Sequence, residues 1–307
     1  MLKKRRKLSS TRSGREATLT SSRLQPGRFE LSVDGVAQSV VSLTDPTRLA
    51  YPYTRHIARA IDAAAPAGSP LFTVHLGAGA LTLARYVQAT RAGSPQLVVE
   101  FEPDLYHAML QALPLPEGSD VRAVFGDARE VADGPLPVPA TRAGERPPLG
   151  AAPGEAERVA TGGDWVGAEF TIVDLWDAAV IHQRVASREF FERVAERSSG
   201  DGVTVVNLLD GHPFTYARRQ AATLAAVFAH VAVVLDADPF DAEGPLGNVL
   251  VFASNTPLDI VARPDLLGVP RPNLLHGGTL DSWVAGARIM TDADGSDSPD
   301  PDDPRWG

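Results

Sequence analysis

Apolar residues occur along the chain in short runs of about five to eight, set between stretches of helical periodicity, and this alternation fixes the expected fold. Phe29, Leu31 and Val33 alternate with polar residues, and Asp34-Gly35 directly after them is a strong hairpin-turn signal. A helix over 51–64 follows, with Ile57 and Ile61 on one face, so residues 27–66 are expected to form a small N-terminal β-hairpin and helix. Beyond them, strands are predicted at 71–76, 97–100, 121–125, 170–174 and 203–208. Helices are predicted between them at 82–90, through Leu105, Met109 and Leu113, and through Phe190, Phe191 and Val194. Another helix, with Leu224 and Phe228, precedes strands at 231–235 and 249–252, which have no helix between them and are expected to pair as an antiparallel edge.

Strands alternating with helices imply α/β architecture with a parallel sheet covered on both faces. The expected domain spans 67–291. Residues 132–167 within it are rich in Pro, Gly and Ala without apolar periodicity, and are expected as a flexible insertion. Two tails are expected to be disordered: basic residues 1–26, containing Lys3, Lys4, Arg5, Arg6 and Lys7, and acidic, proline-rich residues 292–307.

Charge and composition narrow the function. A net charge of −9 argues against a surface built for nucleic acid. No apolar run approaches the roughly 18 residues needed to cross a membrane, and none follows the basic start as a secretory signal would require. The chain has no cysteine, which excludes disulfides, thiolate metal sites and cysteine nucleophiles, and fits a cytoplasmic protein. His182 and His212 have no metal-ligand spacing, and no metal site is expected.

The chemistry sits at predicted strand ends, where open parallel sheets bind ligands. Gly77 and Gly79 form the turn after the short strand at 71–76, where missing side chains let the backbone approach a ligand. Glu100 ends the next strand about 20 residues later, where an acid accepts hydrogen bonds from ribose hydroxyls. The third glycine of a dinucleotide fingerprint is absent, which points to a nucleoside rather than a pyrophosphate. Asp127 ends the third strand, in reach of an adenine amino group. Asp174 and Asp177 follow the fourth strand, and paired acids there can attract and deprotonate a cationic amine. A tight turn, exposed loop acids and a helix N-cap at Asp177 are the plain structural alternatives.

In this order the pieces resemble the spermidine synthase family of polyamine aminopropyltransferases, in its divergent bacterial spermidine synthase-like branch, over roughly residues 31–254. The matching stretches are Val33-Asp34-Gly35-Val36-Ala37-Gln38, His75-Leu76-Gly77-Ala78-Gly79, Val98-Val99-Glu100-Phe101-Glu102-Pro103-Asp104 and Gly126-Asp127-Ala128-Arg129. Ile172-Val173-Asp174-Leu175-Trp176-Asp177 also matches, and the strand from Gly247 to Ser254 is similar to the family's closing strand.

The resemblance implies a Rossmann-like class I methyltransferase sheet with a small N-terminal β element. It implies transfer of an aminopropyl group from decarboxylated S-adenosylmethionine, as co-substrate, to an amine such as putrescine, releasing 5′-methylthioadenosine, with no further cofactor or metal. On that basis Gln38 contacts the donor, Glu100 its ribose and Asp127 its adenine, while Asp174 is the base and Asp177 holds the amine. Small-molecule partners and a homodimer are implied as well. Three departures concern the amine half. Ala80 and Leu81 stand where the glycine turn carries an Asp, Tyr51-Pro52-Tyr53 and Arg55-His56 replace a Tyr-His-Glu, and Ala178 replaces a proline. An S-adenosylmethionine-dependent methyltransferase and a catalytically degenerate nucleoside-binding homologue are the alternatives.

Overall fold

The computed structural model describes residues 3–136, 162–177 and 180–300. Its N-terminal part is a four-stranded antiparallel sheet in the order β1 (Lys3–Ser10), β2 (Glu16–Ser22), β3 (Gln25–Val33) and β4 (Val36–Ser42). The expected hairpin is the β3–β4 pair. Val33 faces Val36 across Asp34-Gly35, both at positive φ, the backbone that a two-residue hairpin turn demands.

The basic tail expected to be disordered is instead strand. β1 pairs along its length with β2, and α3 (Pro103–Ala112) packs against it. Pairing uses backbone groups, and an edge strand lined with Lys and Arg is protected against pairing with other chains. Anchoring comes from neighbours, with Ala17, Leu19, Leu31 and Val41 buried beneath the sheet.

The main sheet has eight strands. β5 (Thr73–Leu76), β6 (Gln96–Glu100), β7 (Val121–Phe125), β8 (Ala168–Val173), β9 (Ser198–Asp210), β10 (His230–Leu235), β11 (Gly247–Ser254) and β12 (Asn273–His276) stand in the order β12-β10-β11-β9-β8-β5-β6-β7. From β7 to β9 all neighbours are parallel, and β11 runs antiparallel between β9 and β10. Fold class therefore agrees with the α/β expectation, but the far edge does not. β10 and β11 lie inside the sheet, and the unforeseen β12 pairs antiparallel outside β10. Four residues between Pro272 and Gly277 gave no alternating pattern.

Among the described residues the α-helices are α1 (Pro52–Ala63), α2 (Thr82–Thr90), α3, α4 (Ala128–Asp133), α5 (Arg188–Arg197), α6 (Thr215–Ala225), α7 (Asp259–Ala262) and α8 (Gly277–Trp283). Ile57, Ile61 and Phe252 belong to one apolar cluster, and Phe190, Phe191 and Leu224 to another, each with residues from the sheet. No helix among the described residues is long and apolar enough to cross a membrane.

Both ends of the expected flexible insertion are packed. α4 covers 128–133, and Trp165 is fully buried against the Arg197 guanidinium. Arg197 donates to the carbonyls of Ala132, Gly134 and Trp165, tying the two ends together; residues 137–161 lie outside the described residues. The acidic tail is likewise bound where it is described. Asp292 forms a two-pronged pair with Arg129, and Ser298 bonds both backbone groups of Ile181. Charge pairing overrides the disorder its composition predicts. Residues 301–307 lie outside the described residues.

Candidate active site

A cleft of about 440 Å³ opens at the carboxyl ends of β5, β6 and β8. Its floor is the turn after β5. Gly77 adopts φ +90°, and a Cβ there would lie 2.3 Å from the Asp174 carbonyl oxygen. Gly79 adopts φ +50°, with Ser39 Oγ 2.5 Å from where its Cβ would be. Both positions demand glycine through conformation and close approach. The turn thus touches β8's end on one side and the N-terminal sheet on the other.

Glu100 braces this turn. Its carboxylate accepts from Ala78 N at 2.9 Å and Glu102 N at 2.8 Å. Burial raises its pKa, and these backbone bonds pull the other way. With the Phe101 backbone as a third donor, the carboxylate keeps room for about one further donor.

Asp174 stands opposite, at the end of β8. Its Oδ1 accepts from Trp176 Nε1 at 2.6 Å and from Asn207 Nδ2 at 2.8 Å. Asn207 Oδ1 in turn accepts from Asn248 Nδ2 at 3.1 Å, so β8, β9 and β11 contribute one side chain each to a fixed relay. Burial raises the Asp174 pKa, and the Asn207 and Trp176 bonds only partly offset this. The Tyr53 hydroxyl, stacked beside Tyr51 with ring centroids 5.9 Å apart, is held protonated by burial and by the Asp174 charge. His75 also lines the cleft; it bonds Gln96 at 2.9 Å, and burial lowers its pKa to about 4. It is therefore neutral near pH 7.

The N-terminal hairpin supplies the remaining wall. Thr11, Ser13 and Arg15 line the cleft, and the turn bearing them is bonded internally between Thr11 and Arg15 in both directions. The Arg12 guanidinium lies 4.7 Å from the Phe101 ring centroid, and Arg12 N donates to Glu102. Arg15 Nη1 donates to Asp177 Oδ1 at 2.7 Å. Asp177 Oδ2 meets His182 Nε2 at 3.2 Å, and His182 also meets Asp297. Burial lowers the His182 pKa, but the bonds to the two acids prevail and raise it.

Of the residues singled out in the sequence, Gln38, Gly77, Gly79, Glu100, Asp174 and Asp177 line this one cleft. Asp127 does not. Its carboxylate caps α4 by accepting from the backbone N–H groups of Arg129 and Glu130, and it pairs with Arg184 at 3.3 Å; its neighbours Gly126 and Ala128 line the cleft instead. Asp177 does not cap a helix but forms a bridge with Val180. Asn207, Asn248 and Arg15 were not anticipated. A lone Asn within the apolar run of β9 was a usable signal; Arg15 in a basic stretch carried none.

Among the described residues, the lining holds four carboxylates (Glu100, Glu102, Asp174 and Asp177) and Arg15 as its only Arg or Lys. No cluster of three or more His, Asp or Glu suited to a metal ion occurs among the described residues. The site is thus negative, and it can hold a cation and accept a proton from it.

No protein-family model matches the chain, and no curated protein sequence matches it. Solved structures do. A probable spermidine synthase from Corynebacterium glutamicum superposes with a TM-score of 0.73 at 24% identity, over 91% of this chain and 93% of that one. Spermidine synthase from Thermotoga maritima gives 0.54 at 11% identity, over 90% of this chain and 86% of that one. A spermidine synthase in complex with the transition-state analogue AdoDATO gives 0.55 at 12% identity, over the same shares. At these identities the likeness establishes the fold: a class I methyltransferase-like sheet with an N-terminal antiparallel sheet, as in spermidine synthases.

Proposed function

We propose that this chain transfers an aminopropyl group from decarboxylated S-adenosylmethionine to a primary amine and releases 5′-methylthioadenosine. The observation that carries this reading is Asp174: a half-buried carboxylate fixed by two donors on one oxygen, in a cleft whose lining holds four carboxylates against one Arg and no Lys. Both substrates are cations, the donor through its sulfonium and aminopropyl ammonium and the acceptor through its ammonium, and the decarboxylated donor brings no carboxylate into that field.

The adenosine part occupies the Gly77–Glu100 side. Glu100 retains acceptor capacity for a ribose hydroxyl, Gln38 approaches the aminopropyl arm, and the adenine reaches Gly126 and Ala128. Asp127, whose carboxylate caps α4 and pairs with Arg184, stays outside the cleft in this reading.

The acceptor ammonium gives one proton to Asp174, whose burial makes it a stronger base than an ordinary Asp. The freed nitrogen lone pair forms the new C–N bond. The C–S bond breaks with its electron pair returning to sulfur, leaving a neutral thioether and a secondary ammonium, and the proton on Asp174 passes to solvent. Asn207 and Trp176 hold the carboxylate throughout, which is catalysis by positioning.

Incubation with decarboxylated S-adenosylmethionine and a panel of primary amines, followed by chromatography, tests this. The expected result is 5′-methylthioadenosine formation that Asp174→Asn lowers by about 10²–10⁴-fold, with donor affinity kept. Absence of that product with every amine, or full turnover by Asp174→Asn, would overturn the reading.

A further inference from the structure

Asp177 is a poor receptor for a second positive charge. Its Oδ1 is held by Arg15 at 2.7 Å and its Oδ2 by His182 at 3.2 Å. The Arg15 position is built rather than incidental: Thr11 N bonds the Arg15 carbonyl at 2.9 Å, and Arg15 N bonds Thr11 Oγ1 at 3.1 Å. The neighbouring Arg12 holds the same turn to the opposite rim through Glu102 and Phe101. Titratable or charged groups facing the pair are His182 and, behind it, Asp297.

We infer that Arg15 is a specificity-determining residue that occupies, from within the chain, the place at Asp177 that the distal ammonium of a diamine would take. The acceptor class that fits is therefore a primary amine with one positive charge and an uncharged remainder. Asp174, at the buried end, meets the single ammonium. At the Asp177 end, a second ammonium would face a guanidinium and an imidazole whose protonation its acid partners favour. Like charges brought together there disfavour the diamine, and this is how a site rejects a near-relative of its substrate.

The inference rests on the proposed aminopropyl transfer, and its test separates the two. Butylamine and 1,4-diaminobutane share chain length and nucleophile and differ in the second charge. With decarboxylated S-adenosylmethionine as donor, the wild-type chain is expected to favour butylamine in kcat/KM by about tenfold. Arg15→Gln, which keeps a polar side chain, is expected to raise the kcat/KM ratio of diaminobutane to butylamine about tenfold. Calorimetric binding of the two amines in the presence of 5′-methylthioadenosine gives the same comparison without turnover, and should show the same reversal. Transfer that favours diaminobutane in the wild type, unchanged by Arg15→Gln, overturns this inference and leaves aminopropyl transfer standing. No transfer to either amine and no donor binding overturns both.

Discussion

Asn207 Nδ2 lies 2.8 Å from Asp174 Oδ1, so a side chain near the C-terminal end of β9 holds the candidate base at the end of β8. Asn207 is itself oriented by Asn248, whose amide donates to its Oδ1. The bond matters most to the charged form of Asp174, whose pKa it lowers against burial. Replacing Asn207 by Leu should therefore raise the Asp174 pKa further. The ascending limb of the kcat/KM profile would move to higher pH, and activity near pH 7 would fall about tenfold. A profile that keeps its position would contradict this role.

Asp174 itself should cost stability when ionised. Its native pKa is raised by burial, so its contribution is fully present below the unfolded-state value and is lost as pH rises through the native one. Asp174→Asn keeps an oxygen for the Trp176 and Asn207 donors and removes the titration. The variant should melt at a higher temperature than wild type at pH 8, with the gap closing towards acid pH, while losing turnover. Equal pH dependence of melting in the two proteins would rule this out.

The glycine turn should tolerate substitution unequally. Gly77→Ala sets a methyl against a backbone carbonyl 2.3 Å away and should destabilise by about 3 kcal/mol. Gly79→Ala meets a side chain, Ser39 Oγ, which can be removed. The Gly79→Ala, Ser39→Ala double variant should therefore recover part of the stability that Gly79→Ala loses. Denaturant midpoints read both effects, and failure of Ser39→Ala to rescue would show that the positive φ of Gly79 dominates.

The sequence carried the sheet and most of one cleft wall, for physical reasons that also explain its omissions. Runs such as Leu97-Val98-Val99 are buried on both faces and read directly as strands. Gly77, Glu100 and Asp174 were legible because strand ends are where a parallel sheet presents ligands. β1 was not, since Lys3–Lys7 pair through backbone atoms to which side-chain hydropathy is blind. Arg15 was lost with it. Asn207 breaks an apolar run, which the sequence does show, but its partner Asp174 is a neighbour only in space. The C-terminal segment was misread because its acids find partners, Arg129 and Gln183, more than 100 residues away in sequence.

That segment offers a prediction of its own. Asp292 is held below the ordinary carboxylate range by its Arg129 bonds, with Ser187 adding to the effect. Such a group contributes stability above its unfolded-state pKa, and this is lost as pH falls through the native value. At pH 7, Asp292→Asn should loosen the segment and speed tryptic cleavage at Arg288 by about fivefold, since the pair is partly exposed. Unchanged cleavage would show that Met290, which is fully buried, docks the segment without help.

Calorimetric titration of decarboxylated S-adenosylmethionine, S-adenosylmethionine and 5′-methylthioadenosine, side by side, tests the central claim most directly. Aminopropyl transfer in an acid-rich cleft predicts that the decarboxylated donor and the thioether product bind more tightly than S-adenosylmethionine. Tighter binding of S-adenosylmethionine, or no binding of any of the three, would contradict it.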